Sequence, residues 1–271
     1  PFRIHRLLTK FLHPLHSFLT FFPSHLISSS PSDPQSFSPS QLLMVGYNRR
    51  FAPLSRILKD KLRHGPFSMM YRVNAGSISP DSWIQDREIG GGRILGEVCH
   101  FVDYLTFLNG SLPVLVQAVA MDDPFHHQDT LSVSIRYKNG SIGSIQYFAN
   151  GSKELPKEYL EVHSHGVTAI LRDFRELQIH SKGRPFKKKL LTQDKGQKEE
   201  VRQFIEAVRH GKEAPISLDE IFSTSYTCFA ILESLSTRTS VRLDYDFHHG
   251  GTEVDPSFPG REMAGKGNPK A

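Results

Sequence analysis

Glu97, His100 and Tyr104 stand at i, i+3 and i+7, so a helix through them carries all three on one face, and Asp103 sits one turn beyond His100. A histidine among carboxylates is a proton-transfer candidate near neutral pH, because negative neighbours raise its pKa while partial burial lowers it. The same imidazole, hydrogen-bonded in a core, would be structural. The residue types leave these two readings of His100 open.

Other histidines group as His163-Ser164-His165, His126-His127 and His248-His249. The first pair would share one side of a strand, but none of the groups has a carboxylate or cysteine at ligand spacing, so no metal site is expected. Asn-Gly-Ser occurs at Asn109, Asn139 and Asn150, each where a turn is expected. The sequence contains no GxGxxG, GxxxxGK[ST] or GxSxG. Gly90-Gly91-Gly92 follows a loop and not a strand. It reads as an approach to the His100 helix, or as a place where a phosphate could meet a helix end.

The elements that must position these groups follow from pattern. Residues 42–46 (LLMVG) read as a strand leading into a helix over 52–64, with Pro53 in its first turn and Gly65-Pro66 after its end. Residues 67–75 read as a strand. Ile94, Val98, Phe101, Leu105 and Leu108 give the next helix, over 93–108, its apolar stripe. Strands follow at 114–121, 130–137 and 141–148, the last two joined at Asn139-Gly140, the pair favoured in type I′ turns. A hairpin of 159–163 with 167–171 turns at Gly166, and 176–180 is a further strand. A helix over 198–209 would face Val201, Phe204, Ile205 and Val208 inward. Ser217 and Glu220 form a capping box for a helix reaching 236, and 241–243 closes as an edge strand. This order predicts an α+β fold, a large mostly antiparallel sheet with helices on one face. Ile135, Tyr137, Ile145, Tyr147 and Leu160 are more than so few helices could cover, which predicts a homo-oligomer formed through the sheet.

The 271 residues are not uniform. Residues 1–40 hold nine Ser, six Pro, six Phe and four His against one acid, Asp33, a composition expected to be disordered. Within it, residues 6–22 followed by Ser28, Ser29 and Ser30 mimic a transit peptide. Residues 41–245 are expected to form one domain and 246–271 a flexible tail. The formal charge of +5 comes from dispersed basic residues and one run, Lys187 to Lys189, in a loop or strand edge, so nucleic acid is not an expected partner. No apolar run approaches 18 residues, so no membrane span is expected. Two cysteines without CxxC spacing, Cys99 and Cys228, point to a reducing, cytoplasmic compartment.

Three segments together resemble the C-terminal half of the Gfo/Idh/MocA family of NAD(P)-dependent oxidoreductases: residues 45–53, GGGRILGEVCHFVD from Gly90 to Asp103, and the sheet with its capped final helix. The resemblance covers about residues 42–245. It implies a substrate and oligomerisation domain that works beside a Rossmann domain holding NAD or NADP, on a carbinol carbon of a sugar, cyclitol or related small molecule. It further implies His100 as acid/base assistant. The family's aspartate four residues before that histidine maps onto Gly96, with Glu97 next to it in a related role. Arg49, Arg93, Asp103 and Tyr104 become substrate-side groups, Asp103 also orienting the helix. The family lysine of a Glu-Lys-Pro motif and the glycine fingerprint are missing from this sequence. The expectation is therefore a truncated enzyme or a mis-assembled reading frame, with a non-catalytic binding or assembly module as the alternative.

Overall fold

The computed structural model describes residues 42–62, 65–86, 89–123 and 128–245. The expectations for 1–40, for 246–271, and for His126-His127 and His248-His249 lie outside the described residues.

Among the described residues nine strands form one sheet: β1 (Ser68–Asn74), β2 (Pro113–Ala120), β3 (Leu131–Tyr137), β4 (Ile142–Phe148), β5 (Glu158–Ser164), β6 (Val167–Arg172), β7 (Glu176–His180), β8 (Phe186–Lys189) and β9 (Val241–Arg242). Their spatial order is β8-β7-β6-β5-β1-β4-β3-β2-β9. Only β1 and β4 run parallel, and all other neighbours are antiparallel. The described helices are α1 (Pro53–Lys61), α2 (Cys99–Asn109), α3 (Gln197–Arg209) and α4 (Leu218–Thr237), with a 3-10 turn at Asn48–Phe51 and a π turn at Ile94–Val98. None is long and apolar enough to cross a membrane. This is the α+β architecture that the order of patterns predicts.

The sheet is two-sided. Met69, Tyr71, Val73, Val133, Ile145 and Val162 point to the helices and are buried. On the other face stand Ser68, Met70, Arg72, Ser134, Arg136 and Ser144, half-buried or exposed. Ile135, Tyr137, Ile145, Tyr147 and Leu160 are all 2% exposed or less, which overturns the expectation that the helices leave them uncovered. α2 and α4 pack together and onto the sheet, and Phe101, Tyr104, Leu105 and Ile231 fill the space above these strands. α4 begins at the expected capping box, the Ser217 hydroxyl accepting from the Glu220 amide.

Three local expectations are corrected. Residues 42–47 pair with no strand, and the Tyr47 amide instead donates to the Val45 carbonyl at 2.7 Å. A strand needs ladder partners for its backbone groups, and none lies beside this segment among the described residues. The turn at Asn139-Gly140 has positive φ only at Gly140 (84°); Tyr137 and Gly140 close it at 3.0 Å, giving a three-residue loop with a bulge. Positive φ at both positions, as a type I′ turn requires, occurs instead at His165 (47°) and Gly166 (77°). Finally, α3 turns Val201, Ile205 and Val208 to solvent and buries Glu200 and Ala207. Its entry explains this: Gly196, at φ +90°, lies so close to the 3-10 turn that a Cβ would stand 2.4 Å from the Asn48 carbonyl oxygen. That contact fixes which side of α3 meets the body.

Candidate functional site

The glycine-rich segment leads into the π turn, and the turn into α2. All three glycine amides are used internally: Gly90 and Gly91 donate to the Asp86 carbonyl at 2.8 and 2.9 Å, and Gly92 to the Ile84 carbonyl at 3.0 Å. A pyrophosphate cradle needs such amides free and pointing at the ligand. These residues therefore do not fit the phosphates of a nicotinamide dinucleotide. The π turn inserts an extra residue ahead of the helix, a distortion that often re-aims side chains at functional sites.

Glu97, on this turn, is held from three sides. Arg93 Nη2 donates to it at 3.1 Å, and Lys157 Nζ and the Tyr147 hydroxyl are also bonded to it. Burial pushes its carboxyl up, but the bonds from Lys157 and Tyr147, with the Lys157 charge, prevail and hold it at about 2. Arg93 is itself buried, donating to the Gly76 carbonyl at 2.7 Å and lying over the Tyr147 ring at 5.1 Å.

His100 is half-buried, with the Tyr47 ring edge-on at 5.8 Å between centroids. Its Nδ1 is buried without a hydrogen-bond partner among the described residues. Burial, then the Arg49 charge, lowers its pKa to about 4, so the imidazole is neutral at pH 7. Glu97, Lys157, Arg49 and Glu158 all act on it electrostatically. A neutral imidazole with an uncommitted buried nitrogen, beside a fixed carboxylate and a half-exposed ammonium, can accept a proton from a hydroxyl and return it.

The remaining expected site residues lie deeper. Arg49 is fully committed, its Nε and Nη2 on Glu158 at 2.8 and 3.0 Å and its guanidinium over Phe101 at 4.7 Å. Glu158 also takes Lys195 at 2.7 Å and the Tyr71 hydroxyl. Despite burial, Arg49 holds its carboxyl at about 2. Asp103 is gripped by Arg50 at 2.6 to 2.9 Å, and Arg50 reaches Glu220 at 2.6 Å. Tyr104 is fully buried and shares a hydrogen bond with Ser55 at 2.7 Å. Tyr104 therefore does not share an accessible face with Glu97 and His100: the helix packs that side against β-strand and α1 residues. The structure thus brings together Glu97, His100 and Arg93, and sets Arg49, Asp103 and Tyr104 beneath them. Lys157, Tyr147, Arg50 and Glu158 are the partners that local spacing did not reveal.

The third histidine group divides. His163 Nδ1 meets Thr168 at 3.1 Å on the sheet, while His165 lies in the turn with Nδ1 2.7 Å from Ser164 Oγ, so the two do not share a strand face. Among the described residues no three His, Cys, Asp or Glu side chains come together as a metal group.

The sheet matches solved structures. An aldose-aldose oxidoreductase from Caulobacter crescentus, complexed with glycerol, superposes with a TM-score of 0.63 at 18% identity over 75% of this chain and 64% of that one. A levoglucosan dehydrogenase, in complex with NADH and L-sorbose, gives 0.63 at 21% identity over 76% and 66%. An oxidoreductase domain protein from Kribbella flavida gives 0.65 at 16% over 76% and 68%. The chain thus spans about two thirds of the length of these proteins, and at these identities the likeness establishes the fold. No curated protein sequence matches it. The family model described as "Oxidoreductase family, C-terminal alpha/beta domain" matches residues 68–243, the whole run from β1 to β9 and with it the turn that holds Glu97 and His100. The chain therefore belongs to the Gfo/Idh/MocA oxidoreductase family through its C-terminal α/β domain.

Proposed function

We propose that residues 41–245 form the substrate-binding and oligomerisation domain of an NAD(P)-dependent oxidoreductase acting on a carbinol carbon of a sugar, cyclitol or related polyol. One observation carries this reading: the neutral His100, its Nδ1 unpartnered, beside the Glu97–Lys157 pair in the family's domain. Glycerol and L-sorbose, bound in the complexes of two similar proteins, are a polyol and a sugar. His100 would exchange the proton of the reacting hydroxyl, Glu97 would fix Lys157 and Arg93, and Lys157 would face the substrate. NAD or NADP would supply hydride transfer, its phosphates held outside the described residues.

The test is kinetic. With a family-type cofactor domain joined ahead of residue 42, His100→Asn is expected to lower turnover about 10²- to 10⁴-fold with the fold retained, the range of a lost general acid/base. Unchanged turnover with lowered thermal stability would make His100 a packing residue. The alternative, a non-catalytic binding or assembly module, has the committed amides of Gly90 to Gly92 in its favour, and predicts no turnover in any such reconstitution.

Oligomerisation through the sheet rests on different residues from those first expected. Val119 and Ile142 are exposed on the open face, where a shallow hollow of about 330 Å³ is lined by Met70, Leu115 and Ile142. Light scattering at high micromolar concentration should report an oligomer that Ile142→Glu disperses, and a monodisperse wild-type monomer would refute it.

A further inference from the structure

Two of the groups bonded to Glu97 come from the sheet, and they flank one connection: Tyr147 near the end of β4 and Lys157 just ahead of β5. The loop between these strands is exposed over residues 152–156, so its path depends on where it is tied down. The ties come from the end of β1. The Asn74 side-chain amide donates to the Ser152 carbonyl at 2.6 Å and to the Leu155 carbonyl at 3.1 Å, and the Asn74 backbone amide donates to the Lys157 carbonyl at 2.7 Å. Arg72 Nη1 adds a bond to the Pro156 carbonyl at 3.0 Å. Two carbonyl partners on one nitrogen settle which way the carboxamide points, because only its NH₂ end donates.

Asn74 is itself held in place. It is 6% exposed and stands opposite Phe148 in the parallel pairing of β1 with β4. Gly151 lies against it from the loop side, where a Cβ would stand 1.9 Å from Asn74 Oδ1. Only a glycine lets the chain pass so close. Two residues beyond Asn74, the Gly76 carbonyl accepts from Arg93 Nη1 at 2.7 Å, and Arg93 Nη2 reaches Glu97 at 3.1 Å. The end of β1 therefore touches the supports of both cations on Glu97: Arg93 through a carbonyl, Lys157 through a loop.

Lys157 carries its charge on a flexible four-carbon stem, and its side chain is 37% exposed. An ion pair so open to water contributes too little to hold the backbone beneath it, so the position of the ammonium must be set by the chain. We propose that Asn74 is a positioning residue of the site: its side-chain amide fixes the loop that carries Lys157 and so keeps the ammonium on Glu97. This rests on the functional reading above, in which Lys157 faces the substrate, and deepens it by naming what holds that group.

The test reads the Glu97 carboxyl by ¹³C NMR in the full 271-residue chain, its signal assigned by its loss in Glu97→Gln. Burial raises this carboxyl, and the bonds from Lys157 and Tyr147 with the Lys157 charge bring it to about 2. Asn74→Ala, whose freed carbonyls can turn to water, should raise the Glu97 midpoint by about 1 pH unit. Lys157→Met should raise it at least as far, and the double variant no further than Lys157→Met alone. Asn74→Gln, which keeps the donors on a longer arm, should recover part of the shift. Gly151→Ala leaves every polar group in place and displaces the amide, so it should also raise the midpoint and carries the test if Asn74→Ala does not fold. An unchanged Glu97 midpoint in both variants, a shift that adds in full to that of Lys157→Met, or loss of the fold in both would make Asn74 a loop anchor with no part in the site. Coupling of Asn74 to Glu97 with no effect of His100→Asn on turnover sinks the catalytic reading alone; a His100 effect with no such coupling sinks the role of Asn74 alone.

Discussion

Two clusters of charge lie within one helix of each other, built from the same residue types and differing in completeness. In the lower one, Arg49 meets Glu158 with side-chain exposures of 7% and 1%, and Lys195 and Tyr71 fill the remaining positions on the carboxylate. Arg50, Asp103 and Glu220 repeat the pattern beside it. In the upper one, Glu97 and Lys157 are 21% and 37% exposed, and the adjacent His100 keeps a nitrogen without a partner among the described residues. The lower cluster ties the 3-10 turn to β5, α2 and α4. Its valences are filled, so it has nothing to offer a ligand. The upper cluster keeps a donor, an acceptor and an exposed face. Completeness, more than residue type, separates architecture from chemistry here.

The sharpest way to break this comparison is to remove one partner from the filled cluster. Glu158→Gln leaves Arg49 buried and Lys195 nearly so without a counter-charge, and is expected to cost about 3 to 5 kcal/mol of stability, read from urea midpoints at constant slope. A loss below about 1 kcal/mol would mean that the cluster is not structural and that Arg49 is available to a ligand after all.

Acid titration separates the clusters at an intermediate scale. Glu97 and Glu158 are both held at about 2, below the ordinary carboxylate range, so their contribution is present above the unfolded value near 4.5 and lost as pH falls toward 2. His100 is depressed to about 4 from 6.5, so the unfolded chain takes its proton first and stability falls between those values as pH drops. Burial raises Asp103 to about 6 and Glu200 to about 7, and these act in the opposite sense over the same range. The wild-type curve is thus composite. The difference between wild type and His100→Asn isolates the imidazole and should change by on the order of 2 to 3 kcal/mol between pH 7 and 4. A pH-independent difference would mean that His100 is not held neutral by its surroundings.

What could be read from the sequence was local. The apolar stripe of α2, the capping box of α4, the strand pattern and the edge strand at 241–242 all depend on residues within a few positions of each other, where periodicity and turn chemistry act. The Glu97–His100 pair was legible for the same reason. Its partners were not: Tyr147 lies 50 residues from Glu97 and Lys157 lies 60, and Arg49 meets Glu158 across 109. Nothing in spacing announces such pairs. One signal was present in Lys157-Glu158, adjacent charges at the entry to a strand, of which one serves each cluster. For α3 the pattern identified an amphipathic helix correctly and misassigned its buried face. Periodicity gives the stripe, while the Gly196 contact decides which side packs.

The smallest effect on stability carries the finest distinction. Lys157→Met removes a cation that is more than a third exposed and leaves Glu97 with Arg93 and Tyr147 as hydrogen-bond partners. An exposed pair of this kind contributes about 0 to 1 kcal/mol, so the midpoint of unfolding should barely move. In an enzyme joined to a cofactor domain the same change should still raise KM or lower turnover by about tenfold, because on the proposed reading the lost ammonium faces the substrate, and it sits in the field of His100. Lys157→Arg should restore part of that loss by keeping the charge on a longer, planar head. If instead Lys157→Met costs several kcal/mol and leaves kinetics unchanged, Lys157 belongs with Arg49 and Arg50, and the upper cluster is as structural as the lower.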